Sequence, residues 1–277
     1  MNQSGKFYSV LNDKVVPFDD PAIISTNPSL IIYEVIRVID GKCLFLEDHL
    51  NRLFISLSLA NRKLNKTQLD LIKSIYTLVS SNSLIKGNIR IDICFQQTEV
   101  NLLCQIIPHN YPSSDDYLNG VKAITYKAER HNPNAKILNP GLRERINKRI
   151  KNANAWEALL INHQNYITEG SKSNLFAIKG NTILTPPSDE VLAGITRDHV
   201  LKLCRKMAIN IIERNISYDE INQYDSFFIT GTSPKILPLR MIDRIYFNVS
   251  GKIIKNLRTA YDNMILQYIE KTEILIF

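Results

Sequence analysis

The sequence predicts an α+β protein of two domains. Its 277 residues exceed the roughly 250 at which single hydrophobic cores stop growing, and 44% hydrophobic residues are enough for a large core. Strand-like and helix-like apolar patterns follow one another along the chain. A stretch rich in Pro, Ser, Asp, Asn and Gly separates two series of such patterns. We therefore expect an N-terminal α+β domain over residues 1–110, a linker at 111–120 and a C-terminal α/β domain over residues 121–277.

The first domain is predicted to contain two hairpins, two helices and two further strands. Asp40-Gly41 follows the apolar run 30–39 and is the strongest hairpin signal in the chain. Glu47 and Asp48 place negative charge where a helix dipole favours it, so we expect a helix to begin there. Apolar periodicity places the other elements: a hairpin at 6–18, a helix from Thr67, and strands at 88–95 and 100–107.

The second domain continues the same mixture of strands and helices. Gly180-Asn181 turns one hairpin, and helices are placed where apolar residues recur every three to four positions. The predicted strands are 121–128, 156–162, 166–170, 174–185, 210–216 and 225–230. The predicted helices are 142–154, one that begins after Ile195-Thr196, a short one near Asp219, and 255–269.

Composition excludes several classes of protein. The net charge is +7, and the basic residues are dispersed apart from one cluster at 143–151. The sequence lacks the basic stripe with interleaved aromatics that is typical of nucleic-acid binding. The four cysteines lie far apart without metal-ligand spacing, so we expect buried thiols and no metal site. No apolar run reaches about 18 residues and the first residues lack a signal-peptide pattern, which predicts a cytoplasmic protein without a membrane segment.

Four loops at the ends of regular elements carry residues that suit ligand binding. Glu169 follows a strand, Gly194-Ile195-Thr196 enters a helix whose first N–H groups could bind phosphate, and a hydroxyl-rich turn runs from Thr230 to Lys235. Lys136 lies in the fourth loop. Its apolar neighbours favour a desolvated, nucleophilic amine. Simpler explanations stay open for each loop: a polar turn, a helix cap, a strand-closing turn and a solvated charge.

A series of motifs in fixed order resembles the class IV aminotransferases. They run from Tyr33 to Leu239 and read Y-E-x-I-R, D-G, F-L-E-D-H-L-N-R-L, A-K-x-L-N, E-A-L-L, T-E-G-S-x-S-N-L-F, T-P-P, L-x-G-I-T-R and F-I-T-G-T-S. This family contains branched-chain and D-amino-acid aminotransferases and aminodeoxychorismate lyase, and its members depend on pyridoxal 5'-phosphate. The resemblance implies a two-domain fold-type IV enzyme similar to D-amino-acid aminotransferase, with the cofactor at the domain interface, that forms a homodimer.

The resemblance also assigns roles to residues. Lys136 would form the Schiff base with the cofactor and move the substrate's α-proton, and Glu169 would face the pyridine nitrogen. Arg52 would bind the phosphate together with the amides of Ile195 and Thr196 and the hydroxyl of Thr232. The substrate pocket would include Tyr33, Arg37, Arg90 and Ser233, whereas His49 is expected to be structural.

Three departures from the family pattern concern the substrate pocket. Residues 24–29 lack the usual glycines, Pro140 stands where branched-chain members often have Tyr, and the loop 95–98 lacks the arginine of lyase and D-amino-acid members. Another group must therefore bind the substrate carboxylate. The candidates are Arg90, Arg143, Lys235 and the turn at Thr232-Ser233.

These observations predict an enzyme of amino-acid metabolism whose substrates are an amino acid and a 2-oxo acid. Tyr33 with Val35 and Ile36 suggests an apolar slot, so we expect an aminotransferase acting on an apolar, branched-chain-like amino acid. The alternative is a 4-amino-4-deoxychorismate lyase that releases pyruvate and 4-aminobenzoate. A binding protein without turnover is a third hypothesis, and the intact Lys136, Glu169 and Arg52 argue against it.

Overall fold

The chain divides into two compact units. The computed structural model describes residues 7–24, 28–97 and 99–273. The first unit comprises Met1–His109, Ala135–Leu138 and Ile265–Phe277, and the second comprises Asn110–Asn134 and Asn139–Met264. This division differs from the expected domains, because the segment around Lys136 and the C-terminal residues group with the N-terminal part of the chain.

The first unit is an antiparallel sheet of six strands with two long helices packed on it. In spatial order the strands are β2 (Lys14–Pro17), β1 (Tyr8–Leu11), β6 (Val100–Ile107), β5 (Lys86–Phe95), β3 (Leu30–Ile39) and β4 (Lys42–Cys43). The helices are α1 (Pro21–Ile24), α2 (Leu46–Leu59) and α3 (Gln68–Ser81). Leu50 of α2 and Ile75 of α3 are fully buried in one apolar cluster with Ile36 and Ile91 of the sheet. Burial of this helix face holds the unit together.

The segment 135–138 lies along an open edge of β3. The N–H of Tyr33 donates to the carbonyl of Lys136 at 3.0 Å, and the N–H of Leu138 donates to the carbonyl of Ile31 at 2.9 Å. Since β4 pairs only with the last two residues of β3, the start of β3 can accept this extra segment. The backbone of Lys136 is thereby fixed to the first unit.

The second unit is built on a mixed sheet of ten strands. Its spatial order is β12 (Asn210–Glu213), β11 (Thr182–Thr185), β10 (Asn174–Lys179), β14 (Ser226–Gly231), β15 (Lys235–Ile242), β7 (Val121–Lys127), β8 (Glu157–Ile161), β9 (Tyr166–Gly170) and β13 (Ile216–Ser217), with β16 (Ile245–Tyr246) paired to β15. Because Glu169 of β9 also pairs with Asn174 of β10, the strands from β10 round to β9 close into a ring.

The helices of the second unit are α4 (Ser114–Asn119), α5 (Pro140–Asn152), α6 (Ile195–Lys206), a 3₁₀ turn (Ile221–Gln223) and most of α7 (Lys252–Lys271). Helix α4 lies within the stretch 111–120 that was predicted as a linker without regular structure. Ser113 and Asp116 form a reciprocal capping box, which satisfies N–H groups of the first turn. Ser and Asp are common both in linkers and at helix starts, so composition alone could not distinguish the two.

The cysteines and helices agree with a packed interior. All four cysteines are buried free thiols, and burial raises the pKa of Cys43 to about 12. They pack as small apolar groups. In the described ranges, no helix is both long and apolar enough to span a membrane.

Candidate active site

Arg52 belongs to a buried ionic cluster in the first unit. His49 and Arg52 lie one turn apart on the face of α2 that packs on β3, and Glu34 projects from β3 toward them. Nε and Nη2 of Arg52 donate to the two carboxylate oxygens of Glu34, each at 2.7 Å, and Nδ1 of His49 lies 2.9 Å from Glu34 Oε2. The two-point contact fixes the plane of the guanidinium.

Charge and burial set the protonation of this cluster. Burial alone raises the pKa of Glu34, but the charge and hydrogen bonds of Arg52, with a contribution from His49, outweigh it and hold that pKa well below its usual range. The pKa of His49 is lowered, first by burial and then by the charges of Arg52 and Lys136. Glu34 is therefore ionised at neutral pH, and His49 is a neutral imidazole that donates from Nδ1.

Lys136 lies beside this cluster in the first unit. Its backbone N–H donates to Ser56 Oγ of α2 at 3.1 Å, and its half-buried side chain places Nζ 4.9 Å from the centroid of the Tyr33 ring. The guanidinium carbon of Arg90 lies 5.1 Å from the same ring centroid, and Arg90 Nε donates to Asp92 at 2.7 Å. The fold thus brings Lys136, Tyr33 and Arg90 together around one aromatic ring.

The three arginine and tyrosine candidates of the first unit share one face of the sheet. Tyr33, Val35 and Arg37 alternate along β3 on the face opposite the helices, and Arg90 of β5 is in register with Val35. Arg37 is only 8% exposed. Ile36 lies on the other face, in the apolar core, and therefore does not share a slot with Val35.

Glu169 stands near the end of β9 in the second unit, where its carboxylate is almost fully buried. Arg130 Nη1 donates to Oε1 at 2.8 Å, the N–H of Leu192 donates to Oε2 at 3.1 Å, and Asn174 Nδ2 lies 3.4 Å from Oε2. These contacts fix the orientation of the carboxylate and leave it as a hydrogen-bond acceptor.

Ile195 and Thr196 form the first turn of α6. The N-cap is Gly194, which has no side chain to cap the helix. The N–H groups in the first turn of α6 therefore suit an anion. A Cβ on Gly194 would stand 1.9 Å from Oδ1 of Asn174, so a larger residue would displace the Asn174 side chain. The hydroxyl of Thr196 lies 3.3 Å from that of Tyr261.

The remaining candidates are placed as follows. Thr232 and Ser233 are half-buried in the turn between β14 and β15, and Lys235, which follows them, pairs with Asp262 at 2.6 Å. Arg143 is half-buried on α5.

Pro140 is the first residue of α5, where a missing N–H costs nothing, and the Asn139 side chain caps that helix. Residues 25–27 of the unusual 24–29 loop, and Thr98 of the 95–98 loop, lie outside the described residues.

Three charged residues near the predicted ones were missed. Glu34 interrupts the apolar run of β3, and Glu157 interrupts the apolar start of β8, so each had a signal as an acid inside a predicted buried strand. Arg130 lies in a polar loop and had no such signal. Each unit therefore holds one of the predicted side chains in a network of buried partners: Arg52 in the first and Glu169 in the second.

Comparisons with known proteins address the family. The model of the family "Amino-transferase class IV" matches residues 31–242. A D-alanine aminotransferase from Bacillus licheniformis is 32% identical over 254 residues, covering 87% of this chain and 89% of the relative. A putative branched-chain-amino-acid aminotransferase from Methanocaldococcus jannaschii is 27% identical over 269 residues, covering 91% and 88%.

Solved structures show the same fold. The branched-chain amino acid aminotransferase of Escherichia coli matches with a TM-score of 0.80 at 21% identity, over 94% of this chain and 95% of that enzyme. The family match covers the strand of Tyr33, helix α2, Lys136, Glu169, the start of α6 and the turn at Thr232. The chain belongs to the class IV aminotransferase family.

Proposed function

We propose that the protein is an aminotransferase that uses pyridoxal 5'-phosphate to transfer the amino group of an apolar amino acid to a 2-oxo acid. The observation that carries this proposal is the placement of Lys136. Its backbone is held by Tyr33 and Ser56, and its amine stands over the Tyr33 ring. A lysine on a rigid segment with an aromatic neighbour is suited to act as a nucleophile and proton carrier.

The donor groups fit this cofactor. Each unit has donors of the kind that bind a phosphate dianion: Arg52 in the first unit, and the first-turn N–H groups of Ile195 and Thr196 and the Thr232 hydroxyl in the second. Glu169 is an acceptor for a protonated pyridine nitrogen, and Lys136 is an amine for an aldehyde.

The chain's residues divide the work. When bound, the cofactor supplies an electron sink that stabilises negative charge on the substrate Cα. Lys136 would hold the cofactor through Nζ, and its amine would move the proton of the substrate Cα. Glu169 would hold the proton on the ring nitrogen through its negative charge. Glu34 fixes the plane of the Arg52 guanidinium before a phosphate binds.

Substrate preference is supported by the relatives and by Arg90. Both named relatives act on apolar amino acids according to their names, D-alanine in one and branched-chain amino acids in the other. Arg90 shares the Tyr33 ring with Lys136, which favours Arg90 over Lys235 for the substrate carboxylate, since Lys235 already pairs with Asp262. Arg37, on the same face of β3 as Tyr33, completes the proposed pocket in the first unit.

A half-reaction tests the proposal. The protein loaded with pyridoxal phosphate is mixed separately with L-leucine, L-valine and D-alanine, and the absorbance of the cofactor is followed. We expect at least one amino acid to bleach the band of the lysine-bound cofactor and the matching 2-oxo acid to restore it. Bleaching by none of a full L- and D-amino-acid panel, with pyruvate release from aminodeoxychorismate, would instead assign the lyase.

The assembly and location are further expectations. The family resemblance supports a homodimer, and light scattering should then give twice the 31.7 kDa of the chain. A cytoplasmic location agrees with the buried free thiols. A monomeric mass in the cofactor-loaded protein would contradict the dimer.

A further inference from the structure

A second buried acid in the second unit has no part in the proposed chemistry. Glu157 is the first residue of β8 and is 2% exposed. Its Oε1 accepts from the N–H of Ala158 at 2.8 Å and from the hydroxyl and N–H of Ser171 at 2.6 and 3.2 Å. Its Oε2 accepts from the Ser173 hydroxyl at 2.8 Å and lies 3.4 Å from the N–H of Lys172. Among the described residues, this carboxylate is thus bound by hydroxyls and backbone amides.

The turn 170–173 is folded around that carboxylate. The N–H of Gly170 donates to the carbonyl of Ser173 at 2.7 Å, which closes the turn. A Cβ on Gly170 would lie 2.0 Å from Ser173 Oγ and 3.0 Å from Glu157 Oε2. Glycine is therefore needed so that the serine and the acid can approach the backbone.

The residues that flank this turn reach the proposed cofactor groups. Glu169 precedes the turn and Asn174 follows it, and the two residues are paired across β9 and β10. Asn174 Nδ2 donates to the carbonyl of Leu192 at 2.9 Å, and its Oδ1 occupies the space that a side chain on Gly194 would need. Asn174 thus fixes the loop that leads into the first turn of α6.

The turn also packs against the third proposed cofactor element. The carbonyl of Lys172 would lie 3.4 Å from a Cβ on Gly231, which immediately precedes Thr232. The turn 170–173 is therefore adjacent to Glu169, linked through Asn174 to the start of α6, and in contact with the residue before Thr232.

We propose that Glu157 is a positioning residue for cofactor binding, because its carboxylate fixes the turn 170–173 and that turn aligns Glu169, the start of α6 and Thr232. The inference rests on the proposed function, since it gives those three elements a common ligand. Glu157 itself does not touch the cofactor. Its role is to hold the backbone in the binding geometry before the ligand arrives.

The test compares Glu157→Gln with Asp243→Asn. Gln keeps the shape of Glu157 but leaves one acceptor oxygen and turns an NH₂ group toward the turn. Asp243 is the control, because it too is held by backbone and hydroxyl donors: it accepts from the N–H of Thr125 and from the hydroxyls of Thr125 and Tyr218. Asp243 follows the C-terminal end of β15, whereas Thr232 lies before the N-terminal end of that strand. Two properties are measured: the Kd for pyridoxal phosphate, and hydrogen exchange of the cofactor-free protein.

We expect Glu157→Gln to raise the Kd about tenfold, as the loss of charge-assisted hydrogen bonds implies. Exchange should quicken at Ser171–Asn174 and at Leu192–Thr196. Asp243→Asn should lower thermal stability but leave both properties within about twofold of wild type. If Glu157→Gln loses stability while its Kd and its exchange at those segments match those of wild type, the proposal is overturned.

Two further arms keep the test decisive. If Glu157→Gln does not fold, Ser171→Ala combined with Ser173→Ala removes two donors and leaves the acid, and an unchanged Kd there also overturns the proposal. If wild type itself fails to bind pyridoxal phosphate, the proposed function fails. Exchange at Ser171–Asn174 and at Leu192–Thr196 in the cofactor-free variants then still decides whether Glu157 fixes the turn and the start of α6.

Discussion

Glu34 and Glu157 are both buried acids on strands, one in each unit, but they are held in different ways. Glu34 is fully buried and makes two hydrogen bonds to the guanidinium of Arg52, with His49 as a third partner. Glu157 is held by backbone N–H groups and serine hydroxyls. The first acid orients a cation, whereas the second orients a turn of the backbone.

This difference determines what each acid can contribute. A guanidinium held in one plane by a carboxylate has its positive charge in a fixed position, so Glu34 prepares a charged group for a charged ligand. A fixed turn sets the positions of the residues beside it. Glu157 therefore positions Glu169, the start of α6 and Thr232 through the backbone rather than by pairing with a cation. The two regions should therefore respond differently to substitution, to pH and to the cofactor.

The largest expected effect is the loss of stability when Arg52 is replaced. Arg52→Met leaves the carboxylate of Glu34 buried without its cation, which costs about 3–5 kcal/mol of unfolding free energy in the cofactor-free protein. Adding Glu34→Gln to that variant should recover part of the loss, because no unpaired charge is then left. Urea denaturation measures both values.

Lys202→Met is the control for this prediction. It removes the exposed pair with Asp198 on α6, which we expect to change the unfolding free energy by no more than ~0.5 kcal/mol. A cost for Arg52→Met as small as that of the control would mean that the buried cluster contributes nothing to the first unit.

The second effect concerns the acid that the second unit presents. Glu169→Gln should retain pyridoxal phosphate, because the residues proposed to bind the phosphate are unchanged. Turnover should slow by about 100-fold, since the negative charge at the ring nitrogen is lost. The exposed Glu144 on α5 gives a control, Glu144→Gln, which should keep wild-type turnover. Near-normal turnover in Glu169→Gln with cofactor bound would exclude Glu169 as the partner of the ring nitrogen.

The smallest effect is a pH dependence of stability in the first unit. The pKa of His49 is lowered in the folded protein, so below its usual pKa of about 6.5 the unfolded chain binds more protons. Stability should therefore fall as the pH falls from about 7 to about 5, by up to ~1.4 kcal/mol per pH unit from this residue. His49→Asn keeps a donor near Nδ1 but cannot titrate, so its stability should depend less steeply on pH.

The exposed His163 provides the comparison. His163→Asn, which replaces an exposed histidine outside the buried cluster with the same residue, is measured in parallel as the control for the substitution. Parallel stability curves for wild type and His49→Asn would show that His49 takes up its proton equally in both states, which contradicts the lowered pKa.

Much of the fold could be predicted from apolar periodicity and turn chemistry. The Asp40-Gly41 turn follows β3 as expected, and Thr67 caps a helix that begins at Gln68. The stretch 111–120, predicted as a linker, contains a helix because Ser113 and Asp116 form a helix cap, a use of polar residues that composition does not reveal. The grouping of Lys136 with the first unit depends on an open edge of β3, which is a property of strand pairing over long sequence distances.

In the site, too, local sequence predicts some features, whereas others depend on contacts between distant residues. The motifs around Arg52, Glu169 and Thr196 identified the family, which the comparisons confirm. The partners of those residues were less predictable. Glu34 stands next to Tyr33 in sequence, yet its link to Arg52 needs the packing of α2 on β3. Arg130 reaches Glu169 from a loop 39 residues away, and no local pattern predicts such a contact.

The central claim is that Lys136 carries the cofactor, and one measurement tests it directly. The protein loaded with pyridoxal phosphate is reduced with borohydride, digested and mapped by mass spectrometry. We expect the pyridoxyl group on the peptide that contains Lys136, and we expect Lys136→Ala to abolish this label. A pyridoxyl group on Lys122, Lys172 or Lys235, or labelling that persists in Lys136→Ala, would contradict it.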